Sequence, residues 1–303
     1  MVLQTIDLTR RFGELTAVDE ASIDVPEGQL TGFVGGNGAG KTTTMRMITG
    51  VLAIHAGTVL WQGREITAAD RRRFGYLPEE RGLYPKQPVI DQLVYLGRLR
   101  GAGSAAARSS ALALLERFGL ADRTRDRVEK LSLGNQQRVQ VIAAVMASPV
   151  ALILDEPFSG LDPEAVVAMA DLLREHTAAG VPVLFSSHQL DLVDRLCDRL
   201  VIMSRGRVVA QGTGEQLREG QPVRYRLTLA GNAPGAGGAG DAGWVRGVRG
   251  LRVIDVDGPS ALVEPVEAGA EQAVLREAVA RGDVREFARV IPALSEIYRE
   301  VVS

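Results

Sequence analysis

The chain has 303 residues, with 35 basic and 37 acidic side chains and a formal charge of −2. That length allows two domains and a large buried core. The near-neutral balance sets up no global field toward nucleic acid or an acidic membrane surface. Cys197 is the sole cysteine, which excludes an internal disulfide and points to a reducing compartment. His55, His176 and His188 are too scattered for a zinc cluster, and Met1 to Asp7 lacks a signal-peptide layout.

Short and alternating apolar runs between Val2 and Val25 predict an antiparallel sheet at the start of the chain. Phe12 lies between two of these strands. Its ring suits stacking on adenine, and a place in the core is an equal reading. Leu30 to Val34 predicts a strand, and Lys41 to Thr49 a helix closed by Gly50. The loop between them, Gly35-Gly36-Asn37-Gly38-Ala39-Gly40-Lys41-Thr42-Thr43, matches the P-loop pattern G-x-x-x-x-G-K-[ST]. So little side chain lets backbone N–H groups curl round an anion, and the following helix adds the positive end of its dipole. Lys41 then reaches the β- and γ-phosphates, and Thr42 Oγ binds Mg²⁺. A dinucleotide fingerprint fails, because Lys41 stands at the last glycine position.

Gly57 to Gly63 reads as a strand and turn, and Arg71-Arg72-Arg73 as a solvated helix face. Phe74 to Leu77 is strand-like. A loop punctuated by proline and glycine follows, holding Glu79, Leu83 and Tyr84. Apolar residues on such a loop suit a partner surface or ordinary packing. A mostly helical segment runs from Val89 to about Ala147, broken at Gly101 to Ser104. Leu131-Ser132-Leu133-Gly134-Asn135 opens its last helix, and taken alone reads as ordinary capping.

Val139 to Leu154 falls short of the ~20 apolar residues of a membrane-spanning helix, and Pro149 divides it. It reads as a buried helix and then a buried strand. The unbroken run Val150 to Leu154 fits a parallel strand covered on both faces. It ends in Asp155 and Glu156, which puts two carboxylates at the ligand-binding rim of a doubly wound sheet. Asp155 is placed to bind Mg²⁺ through water, and Glu156 to take a proton from an attacking water. Ser159-Gly160-Leu161-Asp162-Pro163 turns into another helix. Val181 to Phe185 is a further buried strand, and it delivers His188, read as a γ-phosphate sensor. Leu200 to Met203 and Val208 to Gln211 form a closing hairpin. Past Leu217 come strands at Arg224–Leu229, Leu251–Val256, Ala261–Val266 and near Val284–Val290. Helices are expected at Ala270–Arg281 and Pro292–Val302, and 231–243 is a glycine-rich loop.

Together these motifs resemble the ATP-binding subunits of ATP-binding cassette (ABC) transporters, from about Val2 to Gln216. Gly35 to Thr43 matches the family's Walker A loop. Leu131 to Asn135 stands at its L-S-G-G-Q signature, and Ile153 to Glu156 at Walker B with the catalytic glutamate. Ser159 to Asp162 is similar to the D-loop, His188 to the switch histidine, and Phe12 to the adenine-stacking residue. Three residues depart from the pattern: Leu133 replaces the signature's first glycine, Asn135 its glutamine, and Glu79 the usual Q-loop glutamine.

The resemblance implies an α/β fold: a P-loop core of mainly parallel sheet, an antiparallel sheet, and a helical subdomain at about 85–147. The core would take residues 1–217, and residues 218–303 an accessory α+β domain like that appended to single-cassette exporter ATPases. Glu156, His188 and Lys41 would be catalytic. Phe12, Gly35, Asn37, Gly38, Ala39, Gly40, Lys41, Thr42 and Thr43 would bind ATP, as would Ser132, Gly134, Asn135 and Asp162 across a pair of cassettes. Thr42, Glu79 and Asp155 would hold Mg²⁺. The partners implied are an integral-membrane permease and a second ATP-binding subunit, with no nucleic acid, at the cytoplasmic face of the cell membrane. A soluble ABC-type ATPase acting on ribosomes or DNA is the alternative; this chain lacks the second cassette or coiled-coil arms usual there. A module that uses ATP only as a switch is disfavoured by Asp155, Glu156 and His188.

Overall fold

The computed structural model describes residues 2–80, 82–219, 222–230, 241–290 and 296–298. The chain divides into two units, one running to Leu217 and the other spanning Arg218–Ile297.

The first unit opens with β1 (Leu3–Phe12), β2 (Leu15–Val25), β3 (Leu30–Val34) and α1 (Lys41–Thr49). Next come β4 (Ala56–Trp61), β5 (Arg64–Glu65), α2 (Ala68–Arg72) and β6 (Phe74–Leu77). Three helices follow: α3 (Val89–Leu99), α4 (Ser104–Arg117) and α5 (Leu133–Val145). Then come β7 (Ala151–Leu154), α6 (Pro163–Ala178), β8 (Val183–Ser187) and α7 (Leu190–Leu196). Strands β9 (Arg199–Ser204) and β10 (Arg207–Gly212) and helix α8 (Gly214–Arg218) end the series.

Two sheets form the framework. An antiparallel sheet has the order β2-β1-β4-β5, and a six-stranded sheet the order β10-β9-β3-β8-β7-β6. In the larger sheet every pairing is parallel except β9 with β10. Strands β3, β7 and β8 are buried at every position, as mainly apolar strands covered on both faces are; Thr31, Ser186 and Ser187 are the polar residues among them. Leu3, Leu8, Ile23 and Val59 of the antiparallel sheet share one core cluster with Phe33, Ile153, Leu184 and Val201 of the larger sheet and with Met45 and Ile48 of α1. This common core fixes α1, and the loop before it, against both sheets.

One expectation needs correction. Arg71 is not on a solvated face. It is half-buried, its Nε donates to Ile48 O at 3.0 Å, and burial pushes its guanidinium pKa down. Arg72 and Arg73 are exposed.

The second unit has a four-stranded antiparallel sheet of order β12-β13-β11-β14. Its strands are β11 (Arg224–Leu229), β12 (Leu251–Asp257), β13 (Ser260–Pro265) and β14 (Val284–Val290), with α9 at Ala270–Arg281. Leu227, Val263, Val274 and Ala278 centre its separate core. The glycine-rich loop expected at 231–243 lies outside the described residues for 231–240. Ala242 and Gly243 begin a 3₁₀ helix, Ala242–Gly247, instead. The final helix expected at Pro292–Val302 lies outside the described residues except for 296–298, which are helical.

Candidate nucleotide site

Buried β3 delivers the glycine-rich loop at its carboxyl end. Gly40 caps α1 with φ 107°, a backbone conformation that disfavours L side chains, and a Cβ there would lie 2.6 Å from Ala17 O. No side chain caps this helix and no acid occupies its first turn. Its leading N–H groups are therefore free to bind an anion. Gly206 N–H donates to Ala39 O at 2.9 Å, so the β9–β10 turn braces the loop from behind.

Lys41 Nζ donates to Gly35 O at 2.6 Å and to Gly36 O at 3.3 Å. Burial holds its pKa below the ordinary lysine value, opposed by the charges of Glu156, Asp155 and Glu79. Thr42 Oγ1 donates to Glu79 Oε2 at 3.3 Å. The sequence departure at the Q-loop thus places an acceptor-only side chain beside the P-loop threonine.

The two carboxylates at the end of β7 have different settings. Asp155 is only 1% exposed; its Oδ1 accepts from Ser186 Oγ at 2.6 Å, and its buried Oδ2 has no hydrogen-bond partner among the described residues. Glu156 has φ 50°, a left-handed backbone that costs on the order of 1–3 kcal/mol in a non-glycine residue. Its N–H donates to Ser186 Oγ at 2.8 Å, and its carbonyl accepts from Gln137 Nε2 at 3.3 Å. These bonds hold it in place. The left-handed turn aims the Glu156 carboxylate at His188, with Nδ1 and Oε2 3.0 Å apart.

A cavity of roughly 680 Å³ joins Phe12, the loop from Asn37 to Thr43, Glu79, Asp155 and Glu156. An adjoining one of roughly 380 Å³ shares Asn37, Glu79 and Glu156 and adds Gln137, Ser159 and His188. Phe12 is 47% exposed and so is not a core residue; it lines the cavity, and the Arg10 guanidinium lies 4.8 Å from its ring centre.

Five expected residues line neither cavity: Gly35, whose carbonyl accepts from Lys41 Nζ, and Ser132, Gly134, Asn135 and Asp162. Ser132 Oγ accepts from Asn135 N–H at 3.3 Å as the N-cap of α5. Gly134 packs so closely that a Cβ there would lie 2.6 Å from Gly160 O. Asp162 caps α6 and pairs with Arg138.

Sequence reasoning assigned no role to Ser186, Gln137, Thr16, Arg205 or Gly206. Ser186 is adjacent to the Ser187-His188 pair at the end of a buried strand. That position was its one available signal.

A glycine-rich loop at an uncapped helix start, a Lys–Thr pair, two acids at a parallel strand end and an exposed ring on the antiparallel sheet are the parts that a nucleoside triphosphate site requires. A family model described as "ABC transporter" matches residues 18–159. An uncharacterized ABC transporter ATP-binding protein of Bacillus subtilis (strain 168), YhaQ, is 48% identical over 215 residues, 71% of this chain and 72% of that protein. The chain belongs to the ABC transporter family. It is an ATP-hydrolysing, ATP-binding subunit that powers transport. The linearmycin resistance ATP-binding protein LnrL of the same organism is 33% identical over 235 residues, covering 76% of each chain. The solved structure of an ATP-binding subunit of an ABC transporter superposes with TM-score 0.67 at 31% identity, over 72% of this chain and 92% of the other. The α/β, P-loop ABC core expected from the motifs is therefore the fold of this ATPase.

The residues at the phosphate end also fit a magnesium ion. Asp155 Oδ2 is buried and unpartnered, and Thr42 Oγ1 and Glu79 line the same cavity. Hard oxygen donors of this kind, few in number and completed by phosphate oxygens, are what Mg²⁺ takes. Among the described residues no helix is long and apolar enough to cross a membrane.

Proposed function

We propose that this ABC ATPase energises export through a separate membrane permease and works as a pair of cassettes at the cytoplasmic face of the membrane. The observation that carries its hydrolytic part is the Glu156 carboxylate, presented from a left-handed backbone and held by His188 beside the Lys41 cradle.

ATP binds with its adenine on the Phe12 ring and its phosphates on the N–H groups from Asn37 to Thr43. Lys41 leaves the Gly35 and Gly36 carbonyls for the β- and γ-phosphate oxygens. Thr42, Asp155 and Glu79 would hold a Mg²⁺ ion, which would neutralise charge on the phosphates when bound. Glu156 orients the attacking water and accepts its proton, and His188 positions Glu156 and senses the γ-phosphate. In phosphoryl transfer most of the gain comes from positioning and charge neutralisation, with general-base help of roughly 10²–10⁴ in rate.

What this chain leaves outside its own cavity supports the pairing. Ser132, Gly134 and Asn135 begin a helix whose positive end faces no nucleotide of its own subunit. They serve the ATP held by a second ATP-binding subunit, together with Asp162. The loop from Glu79 to Pro85, with exposed Tyr84, transmits closure of the pair to the permease. The Arg218–Ile297 unit is an accessory domain. The printed name of LnrL, a resistance protein, supports outward transport.

Co-expression of this chain with its neighbouring hydrophobic reading frame, followed by transport in inverted membrane vesicles, tests the proposal. ATP-dependent accumulation inside inverted vesicles is the expected result. Accumulation only in right-side-out vesicles supplied with internal ATP would reverse the direction. ATPase activity without co-purification of any membrane protein would remove the permease from the scheme.

A further inference from the structure

A further cavity, with a charge of its own, lies at the opposite end of the large sheet from the two that meet at Glu156. It measures roughly 230 Å³ and is lined by Arg72, Arg73, Arg100 and the Ala147–Val150 connection between α5 and β7. Strands β6 and β7 start there in register, Phe74 beside Ala151. The nucleotide residues Asp155 and Glu156 follow the other end of β7, so this cavity is separate from both.

Among the described residues, no acidic side chain lines this cavity. The side chains of Arg72 and Arg73 make no ion pair or hydrogen bond among the described residues. The acid nearest them in sequence, Asp70, is already committed. It takes two hydrogen bonds from Arg64, both 2.8 Å, and closes a capping box with Thr67. Arg100 Nη1 donates to Ala143 O at 3.1 Å and Ala144 O at 2.8 Å, at the carboxyl end of α5. Burial alone pushes its guanidinium pKa down, and no carboxylate offsets that. Ser148, with φ 49° and exposed, adds a hydroxyl to the lining. Three arginines thus line a small polar hollow with no acid among its lining residues, and guanidinium groups are the side chains that take phosphate oxygens bidentately. The volume sets the size of the guest: about a third of the nucleotide cavity, it suits one phosphate group and not a nucleotide.

We propose that Arg72, Arg73 and Arg100, with Ser148, form a second anion site that binds a single phosphate group, free or as a monoester, at the amino end of the β6–β7 pair.

The test uses the full chain saturated with Mg²⁺ and a non-hydrolysable ATP analogue, so that the P-loop and γ-phosphate positions are filled. Inorganic phosphate is then titrated by calorimetry. One further phosphate per chain should bind, more weakly as salt rises. The Arg72→Ser/Arg73→Ser variant should bind it at least tenfold more weakly, with an unchanged unfolding midpoint and analogue affinity, since both side chains are exposed. Arg100→Met serves as a second variant, read only if it folds. Phosphatidylcholine vesicles with and without phosphatidic acid separate the two sources. Sedimentation that requires phosphatidic acid and both arginines identifies a lipid headgroup; phosphate binding without sedimentation identifies a soluble ligand. No phosphate binding to the analogue-saturated chain, or equal binding by the double variant, overturns the site.

Discussion

His188 Nδ1 lies 3.0 Å from Glu156 Oε2, although 31 residues separate them in the chain. Sheet order makes the contact: β8, which ends just before His188, is the neighbour of β7, which ends just before Glu156. The pair puts a hydrogen-bonded carboxylate at the mouth of the phosphate cavity. Glu156→Gln is expected to keep ATP affinity, lower the hydrolysis rate by about 10²–10⁴ and accumulate an ATP-bound dimer. Single-turnover hydrolysis and size-exclusion chromatography with ATP check this; turnover near the wild-type rate would reject the assignment of the base.

Ser186 Oγ connects the two acids, donating to Asp155 Oδ1 at 2.6 Å and accepting from Glu156 N–H at 2.8 Å. Ser186→Ala leaves a buried carboxylate oxygen and a strained residue without their tether. The expected cost is about 1–3 kcal/mol in stability, with weaker Mg²⁺ dependence of hydrolysis. Denaturant unfolding and a magnesium titration of the ATPase measure the two effects separately. A variant that matches wild type in both would mean that Ser186 is a bystander.

Arg10 lies over the Phe12 ring and is fixed there by Ala53 O and His55 Nε2, both at 3.0 Å from Nη1. It does not line the nucleotide cavity, so the cavity side of the ring stays open to adenine. An exposed cation–π contact is worth about 0.5–1 kcal/mol. Arg10→Ala should therefore raise the KM for ATP about two- to fivefold at constant kcat. A fall in kcat with unchanged KM would contradict a stacking role.

Lys41 is buried at the base of the loop, and its pKa is lowered for that reason first. Lys41→Ala should abolish nucleotide binding, as read by a fluorescent ATP analogue. The same burial gives the nucleotide-free protein a pH signature. A lysine with a folded pKa below its unfolded value near 10.5 binds fewer protons when folded within that window. Stability conferred at this position therefore rises as pH climbs through the folded pKa, and is lost as pH falls back below it. Lys41→Met should flatten that alkaline rise in unfolding free energy, and an identical slope in both proteins would refute it.

What the sequence determined by itself was everything encoded in consecutive residues. Gly35 to Thr43 specifies an uncapped helix start because only glycine accepts the left-handed backbone and close contact found at Gly40. Val150 to Glu156 specifies a covered strand with acids at its end because charge cannot stay in that core. Most of β1 to β14 could be placed on the same grounds. Tertiary structure alone decided that Ser186 bridges Asp155 and Glu156, that Gln137 holds the Glu156 backbone, and that Arg205 and Gly206 wall the nucleotide cavity. Those residues meet because β8 lies between β3 and β7 and because the β9–β10 turn folds back onto the P-loop. A run of residues carries its own backbone preference, whereas the order of strands in a sheet is set by packing many such runs at once. For the same reason the Arg71–Arg73 run, uniform in sequence, is divided in space. Arg71 is drawn against α1, and Arg72 and Arg73 turn to a cavity shared with Arg100.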